Sequence, residues 1–562
     1  MAKNLDLEKI KAQSRGLRGR LVASLENDTT GAVHPEDTAI TKFHGIYQQD
    51  NRESRRQRRE ARLEPDYRFM IRVRVPGGVA SPQQWSALNE TAYQHGGGSL
   101  RLTTRQAVQF HGVTKEDLPD LMRRLDAVLM DSLAGCGDVN RNVMCHVQPE
   151  AGPLHAETSR IAREISTHLT PRTDAWREIW VDGDKVDTKE IEPAPDPLYG
   201  RTYLPRKFKI GIALPPINDV DVYSQDIGLI AIERNGGLIG FNVLAGGGLG
   251  CSQGDPNTFP RLAESLGFVR TEDVVAVCEA IVTVQRDYGD RENRRHARFK
   301  YTVDDRGIEW LAKEVATRSG VTLDHPIPVA FNGNGDRFGW HKAVDERYQR
   351  TVFVEGGRLT GETREALARI VRDYSEDVRI TPNHNVILSG IRPSDCESVD
   401  TRLRDAGLDD ESVSVRQRHS MACVAFPTCG LAMAESERYL PTLLASIDEI
   451  AVRHGIGDVP MTIRMSGCPN GCSRPYLGEI GFVGRAPGRY NMYLGAAFDG
   501  SRLNRIHREN IDEPTILEII DQLFAAFAQN RAVDEAFGDY LIRSGTISAT
   551  VHGSETNELR GD

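Results

Sequence analysis

The chain repeats itself. RLTTRQAVQFHGV at 101–113 aligns with RITPNHNVILSGI at 379–391 at an offset of 278, with Arg, Thr, Val and Gly coinciding and Leu/Ile and Val/Ile pairs between them. Upstream, the Gly-Gly of VPGGVASPQQW (Gly77, Gly78) and that of VEGGRLTGETR (Gly356, Gly357) stand 279 apart, so a single-residue gap reconciles the two. A fainter pair follows each module: PRKFK, DIGLIAI and GFNVLAGGG between 205 and 248 match PMTIR, EIGFVG and RYNMYLGAA between 460 and 497. The order is A-B-A′-B′. Strand-like runs such as MIRVRV (70–75) and helix-like runs such as EDLPDLMRRLDAVLM (116–130) make the class mixed α/β. We divide the chain into an N-terminal arm over 1–65, A over 66–150, B over 151–340, A′ over 341–415 and B′ over 416–562. Two A and two B units related by duplication predict packing about a pseudo-twofold axis. Pockets favour such junctions, so a large ligand is expected there.

With Lys plus Arg at 70 and Asp plus Glu at 80, the net charge of −10 lacks the basic excess that displaces counterions from duplex phosphates. Nucleic acid is therefore not an expected partner. No stretch approaches the roughly 18–20 apolar residues that span a bilayer, and the N-terminus has no apolar signal core. The expectation is a cytoplasmic protein without a membrane partner, its first 21 residues containing a short amphipathic helix. DNRESRRQRREARLEP (50–65) reads as a solvated helix or arm, and VDTKEIEPAPDPLYG (186–200) as a linker or loop.

Four of the nine cysteines form two pairs: Cys423 and Cys429 in SMACVAFPTCG, and Cys468 and Cys472 in SGCPNGCSRP. The spacing is Cys-x5-Cys, 38 intervening residues, then Cys-x3-Cys. Four thiolates suit tetrahedral zinc or a 4Fe–4S cluster, and zinc knuckles use shorter spacings at both ends, which tilts the choice towards iron–sulfur. Leu440, Leu443, Leu444, Ile447 and Ile450 recur at helical spacing between the pairs, with Pro441 placed to begin a turn and Gly455 to end it. Gly467, Pro469, Asn470 and Gly471 let backbone approach a bulky inorganic group. For the scattered Cys136, Cys145, Cys251, Cys278 and Cys396, buried structural thiols are the expectation.

Cations occupy otherwise apolar or turn-like segments of the half without these pairs: Arg72 and Arg74, Arg101 and Arg105, Arg141, and Arg206, Lys207 and Lys209. Charge there is costly to bury unless it is paired or meets an anion. Together these side chains predict a polyanionic cofactor and a small anionic substrate. Lys207 and Lys209 lie two apart, so on a strand they share a face while Arg206 and Phe208 take the other.

KFHGIYQQDNR (42–52), RLTTRQ and FHG (101–112), DVNRNV (138–143), YLPRKFK (203–209), GFNVLAGGG (240–248), ACVAFPTC (422–429) and GCPNGC (467–472) together resemble the sulfite and nitrite reductase family, over nearly the whole chain. That resemblance implies siroheme coupled to a 4Fe–4S cluster, ferredoxin-like half-domains for A and A′, and six-electron reduction of sulfite to sulfide in sulfur assimilation. It implies that Cys423, Cys429, Cys468 and Cys472 hold the cluster and that Cys472 bridges it to the siroheme iron. It places Arg72, Arg141, Lys207 and Lys209 around the substrate. It places Arg101, Arg105, Gln109, His111, Asn142, Arg206, Arg298 and Asn470 against the siroheme, whose eight carboxylates would account for so many arginines in apolar strands. The chain departs from the family at Arg298, often a lysine, and at His384, commonly a glutamine. The implied partners are sulfite and an external electron donor, since no flavin- or dinucleotide-binding stretch is present: a flavoprotein subunit using NADPH, or a ferredoxin. The alternatives are a siroheme nitrite reductase and, from another class, a non-catalytic zinc protein whose basic surface docks an acidic partner.

Overall fold

A computed structural model describes residues 6–147, 152–173, 175, 180–181, 184–185 and 193–559. Of the linker expected over 186–200, residues 186–192 lie outside the described residues. Four five-stranded sheets carry the fold. The first runs Ile46–Asp50, Tyr67–Val73, Val108–Val113, Ser99–Leu102 and Arg358–Thr360; another runs Gly339–Lys342, Tyr348–Val352, Val386–Ile391, Asp377–Ile380 and Val79–Ala80. Each therefore ends on a short strand donated by the other repeat. Arg358 pairs with Arg101 and Thr360 with Ser99 on one side, while Val378 pairs with Ala80 and Arg379 with Val79 on the other.

The repeated Gly-Gly pairs make this exchange possible. They lie in one-turn 3₁₀ segments, Pro76–Gly78 and Glu355–Gly357, with φ of +68° at Gly77 and +55° at Gly356. At the second glycine of each pair a side chain would collide with the opposite repeat: a Cβ on Gly78 would stand 2.6 Å from the Ile380 carbonyl, and one on Gly357 2.5 Å from Arg101 Nη1. One core fills the space beneath both sheets, with Phe69, Trp85 and Phe110 from the first repeat packed among Val352, Leu367 and Ile380 from the second.

The B units form the other two sheets. Met144–Cys145, Ile210–Ala213 and Ile227–Arg234 run parallel, and Gly237–Ala245 and Glu264–Arg270 add antiparallel strands. Ser420–Ala422, Ile463–Ser466, Ile480–Ala486, Arg489–Leu494 and Arg505–Ile511 repeat that order and polarity. Parallel neighbours need a crossover. The helix Leu440–Arg453 supplies it in the second unit, burying Leu443, Leu444, Ile447 and Ile450 as the periodicity predicts, with Gly455 at φ +71° just past its end. Among the described residues no helix is long and apolar enough to cross a membrane.

Glu479, fully buried, accepts from Thr462 N–H at 2.9 Å and Gly538 N–H at 2.8 Å, and burial pushes its carboxyl up to about 7. Its folded-state pKa thus lies above the unfolded value, so the stability it contributes is full below about pH 4.5 and is lost as pH rises through 7. That shift amounts to about 3 kcal/mol. The thermal midpoint should fall between pH 5 and 8, and Glu479→Gln should flatten the slope; an equal slope in the variant would remove Glu479 as its cause.

Candidate functional site

The cysteines sit at the carboxyl ends of the adjacent parallel strands Ser420–Ala422 and Ile463–Ser466, so both pairs start from one sheet edge. Cys423 N–H donates to Met465 O at 3.2 Å, and Gly467 N–H donates to Cys423 Sγ at 3.2 Å. The loops touch at Gly467, where a Cβ would lie 2.7 Å from both Ala425 Cβ and the Ala434 carbonyl. Backbone amides of Leu431 and Ala432 face the Cys429 thiol and oppose its upward shift, Ala432 N–H donating to the Cys429 carbonyl at 3.2 Å, and the Asn470 amide and side chain face Cys468, the latter at 3.5 Å. Cys472 is exposed, and Thr104 of the first half donates to its carbonyl at 3.0 Å. Burial first, then the charge of Cys472, pushes the Cys423 thiol up to about 12 and that of Cys468 up to about 11. The four sulfurs thus lie within one another's fields. Yet among the described residues no three His, Cys, Asp or Glu side chains converge on a position for one metal ion. A tetrahedral zinc draws its sulfurs to within about 4 Å of each other. Amides facing the thiols suit an iron–sulfur core, whose potential such contacts tune.

Facing these loops is the cation wall. Strand register puts Arg72 opposite Gln109 and Gln109 opposite Arg101. With its amide oxygen turned to Arg72, Gln109 accepts from Nε at 2.9 Å and Nη2 at 2.6 Å, and the other end of that amide lies 3.3 Å from His111 Nε2. Arg101 donates to Ala422 O at 2.8 Å and pairs with Glu437. Arg105 spans the junction, donating to Asn142 O, Ile210 O and Gln225 Oε1 at 2.6, 3.0 and 2.9 Å. Asn142 uses its own amide on Val75 and on the Arg105 carbonyl, so it holds the wall together from behind. Arg141 donates to Gly137 O at 3.1 Å and hydrogen-bonds the Tyr47 hydroxyl. Arg298 makes two 3.1 Å contacts to the buried carboxylate of Asp226. Arg74 turns away, to Asp131 and Thr170.

The lysines are only partly on a strand, because regular pairing starts at Ile210 and Phe208 contributes just an isolated bridge with Asn140. Even so, Phe208 is buried in the core while Lys207 and Lys209 stay half-buried on the other side. Burial, then Arg105 and Arg298, hold the Lys209 ammonium well below the usual lysine range, and Cys472 is close enough to oppose them. Burial, then Lys209 and Arg206, do the same to Lys207. Burial also lowers Arg105 to about 9 and Arg206 to about 10. Several nitrogens in this wall are buried with no hydrogen-bond partner: Arg101 Nη1, Arg105 Nε, Arg298 Nε, His111 Nδ1 and both ring nitrogens of His384. Unanswered donors and crowded cations are the signature of a wall built for an extended polyanion.

Sequence reasoning missed several members. Tyr47 and Cys136 touch the arginines expected at the substrate, Cys136 accepting from Arg72 at 3.0 Å, which makes that cysteine more than a structural thiol. Asp226 and Glu437 are lone carboxylates with no motif to announce them. Cys145, Cys251 and Cys278 are buried as expected, but Cys396 is only half-buried.

A thiol-ringed inorganic centre facing a wall of unanswered cations defines a redox protein that packs an anionic prosthetic group against a metal–sulfur cluster. The ferredoxin-like half domain of nitrite/sulfite reductases matches residues 62–128 and 341–406, the two copies of the repeat, and the nitrite and sulphite reductase 4Fe–4S domain matches 162–323. The sulfite reductase (NADPH) hemoprotein beta-component of Staphylococcus saprophyticus is 48% identical over 98% of this chain and 97% of its own length, and that of Geobacillus kaustophilus 48% over 98% of each. The solved Mycobacterium tuberculosis NirA protein shares the fold at a TM-score of 0.76 and 24% identity, over 96% of this chain and 95% of that one. The chain belongs to the nitrite and sulphite reductase family.

Proposed function

We propose that this protein reduces sulfite to sulfide by six electrons, as the hemoprotein subunit of an assimilatory sulfite reductase. Cys423, Cys429, Cys468 and Cys472 would hold a 4Fe–4S cluster, with Cys472 the cysteine that would couple it to a siroheme. The observation that carries the reading is the junction itself, where Arg101 donates to Ala422 O at 2.8 Å and Thr104 to Cys472 O at 3.0 Å while Lys209 lies in the fields of Arg105, Arg298 and Cys472. Cations for a polycarboxylate and a cluster thiolate converge on one place from the two halves.

When bound, siroheme coupled to the cluster would supply the electrons for the reduction one at a time. The chain does the rest. Arg101, Arg105, His111, Arg206 and Arg298 answer carboxylates, with Gln109, Asn142 and Asn470 fixing their geometry. Arg72 and Arg141, held by Gln109 and Tyr47, bind the sulfite oxygens and neutralise their charge. Lys207 and Lys209 carry protons at Nζ whose release burial and neighbouring cations already favour, so each is suited to general-acid work on departing oxygens.

The electron donor is external. The curated relatives, matched over 97–98% of their own length, are named as NADPH enzymes' hemoprotein components, which supports an NADPH-dependent flavoprotein over a ferredoxin. The compartment that fits is the cytoplasm. Purified protein should contain about four cluster irons and one siroheme iron with acid-labile sulfide, and should reduce sulfite with an artificial reductant. Stoichiometric zinc without sulfide would overturn the reading.

A further inference from the structure

The Arg-rich segment at 50–65 is solvated along the helix Arg55–Glu60, which buries no residue, but not at its start. Arg52 reaches the first cysteine loop, 377 positions further along the chain. Its backbone N–H donates to Pro427 O at 3.2 Å, and its Nη1 donates to Cys429 O at 3.1 Å and to Ala432 O at 2.5 Å. Its guanidinium lies 4.5 Å from the centre of the Phe426 ring. The carbonyls of Cys429 and Ala432 bracket the two amides, Leu431 and Ala432, that face the Cys429 sulfur, and Ala432 N–H donates to the same Cys429 carbonyl at 3.2 Å. One side chain therefore pins the turn from outside while its amides face the thiolate within. A neutral side chain in that place would leave two carbonyls without their charged donor and the turn free to swing its amides off the sulfur.

We propose that Arg52 is a positioning residue for Cys429. By holding the Leu431 and Ala432 amides against the sulfur it raises the reduction potential of the cluster and slows its loss, because amides facing a thiolate stabilise the more negative, reduced state. The inference rests on the cluster assignment made above, and it gives the basic arm a role beyond solvation.

The test uses loaded protein: wild type, Arg52→Gln, Arg52→Lys, and Arg56→Gln as a control on the same arm, where the side chain is 85% exposed. Iron and labile sulfide are measured first, then the cluster midpoint by redox titration followed by electron paramagnetic resonance, then the rate of iron loss to a chelator. Arg52→Gln should lower the equilibrium constant for cluster reduction about tenfold, ~59 mV for one electron, and lose iron several-fold faster. Arg52→Lys should fall between, since an ammonium keeps the charge and can donate to the carbonyls but lacks the planar guanidinium that lies on the Phe426 ring. Arg56→Gln should match wild type. A loaded Arg52→Gln with wild-type potential and loss rate overturns the inference alone. If that variant loads poorly, a loaded Arg52→Lys matching wild type in both readouts overturns it equally. Wild type without cluster iron overturns the functional reading, and this inference with it.

Discussion

Replacing Cys472 with serine should abolish siroheme coupling and lower sulfite turnover by more than about a hundredfold, the upper range seen when even the outer contacts of a metal site are lost. A serine hydroxyl is a hard, weakly acidic donor where a soft thiolate is needed. Cys472 is the exposed member of the four, its charge is felt by the other three thiols and by Lys209, and its carbonyl is tied across the domain junction by Thr104. It stands where the two halves face each other, so its loss should disturb both the cluster and what lies against it. Cys278→Ala is the contrast. Cys278 is fully buried in the helix Val274–Tyr288, within an apolar core, so removing its sulfur should cost roughly 1 kcal/mol of stability and leave the visible spectrum alone. Spectrum, iron content and turnover with an artificial reductant decide the matter. Full turnover with an unchanged spectrum in Cys472→Ser would remove this cysteine from the bridge.

Lys209→Met should separate substrate chemistry from cofactor binding. Methionine keeps much of the apolar stem, so the Phe208 side of the segment stays packed in its core. What goes is the ammonium, crowded by Arg105 and Arg298 and thus ready to give up a proton to an oxygen of the bound anion. Loss of general-acid and electrostatic help predicts a fall in sulfite turnover of about 10²-fold or more, with siroheme absorption retained. Siroheme content measured beside turnover gives the answer. Loss of siroheme in the variant would make Lys209 a cofactor contact, and unchanged turnover with full siroheme would take it out of the site.

The duplication, the cysteine pairs and most of the cation wall were legible because each is a local signal: a recurring string, a spacing, a charge in an apolar strand. The strand exchange was not, since Val79–Ala80 is two residues long and carries no periodicity, and only a collision such as that at Gly78 reveals what lies across from it. Glu437 and Asp226 were invisible because a lone acid says nothing of the arginine it meets. Composition misled at Arg52, where an average over a charged run hid one side chain with a specific task. His384 was flagged as a departure, and the repeat gives it physical content. Its counterpart Gln106 bridges Cys145 O at 2.8 Å and Ile380 O at 2.9 Å, whereas an imidazole cannot reach in two directions with an amide's geometry and leaves both ring nitrogens unpartnered.

The exchanged strands also set a clock. Ser99–Leu102 waits for Arg358–Thr360, and Val79–Ala80 for Asp377–Ile380, so neither repeat can finish its sheet until most of the chain exists. At about 5–20 residues per second on the ribosome, the first repeat spends roughly 10 to 50 seconds with an open edge before its partner strand emerges. An open edge of that kind invites pairing with another chain. Production of this protein is thus exposed to elongation rate and chaperone supply in a way that its finished, closed architecture conceals.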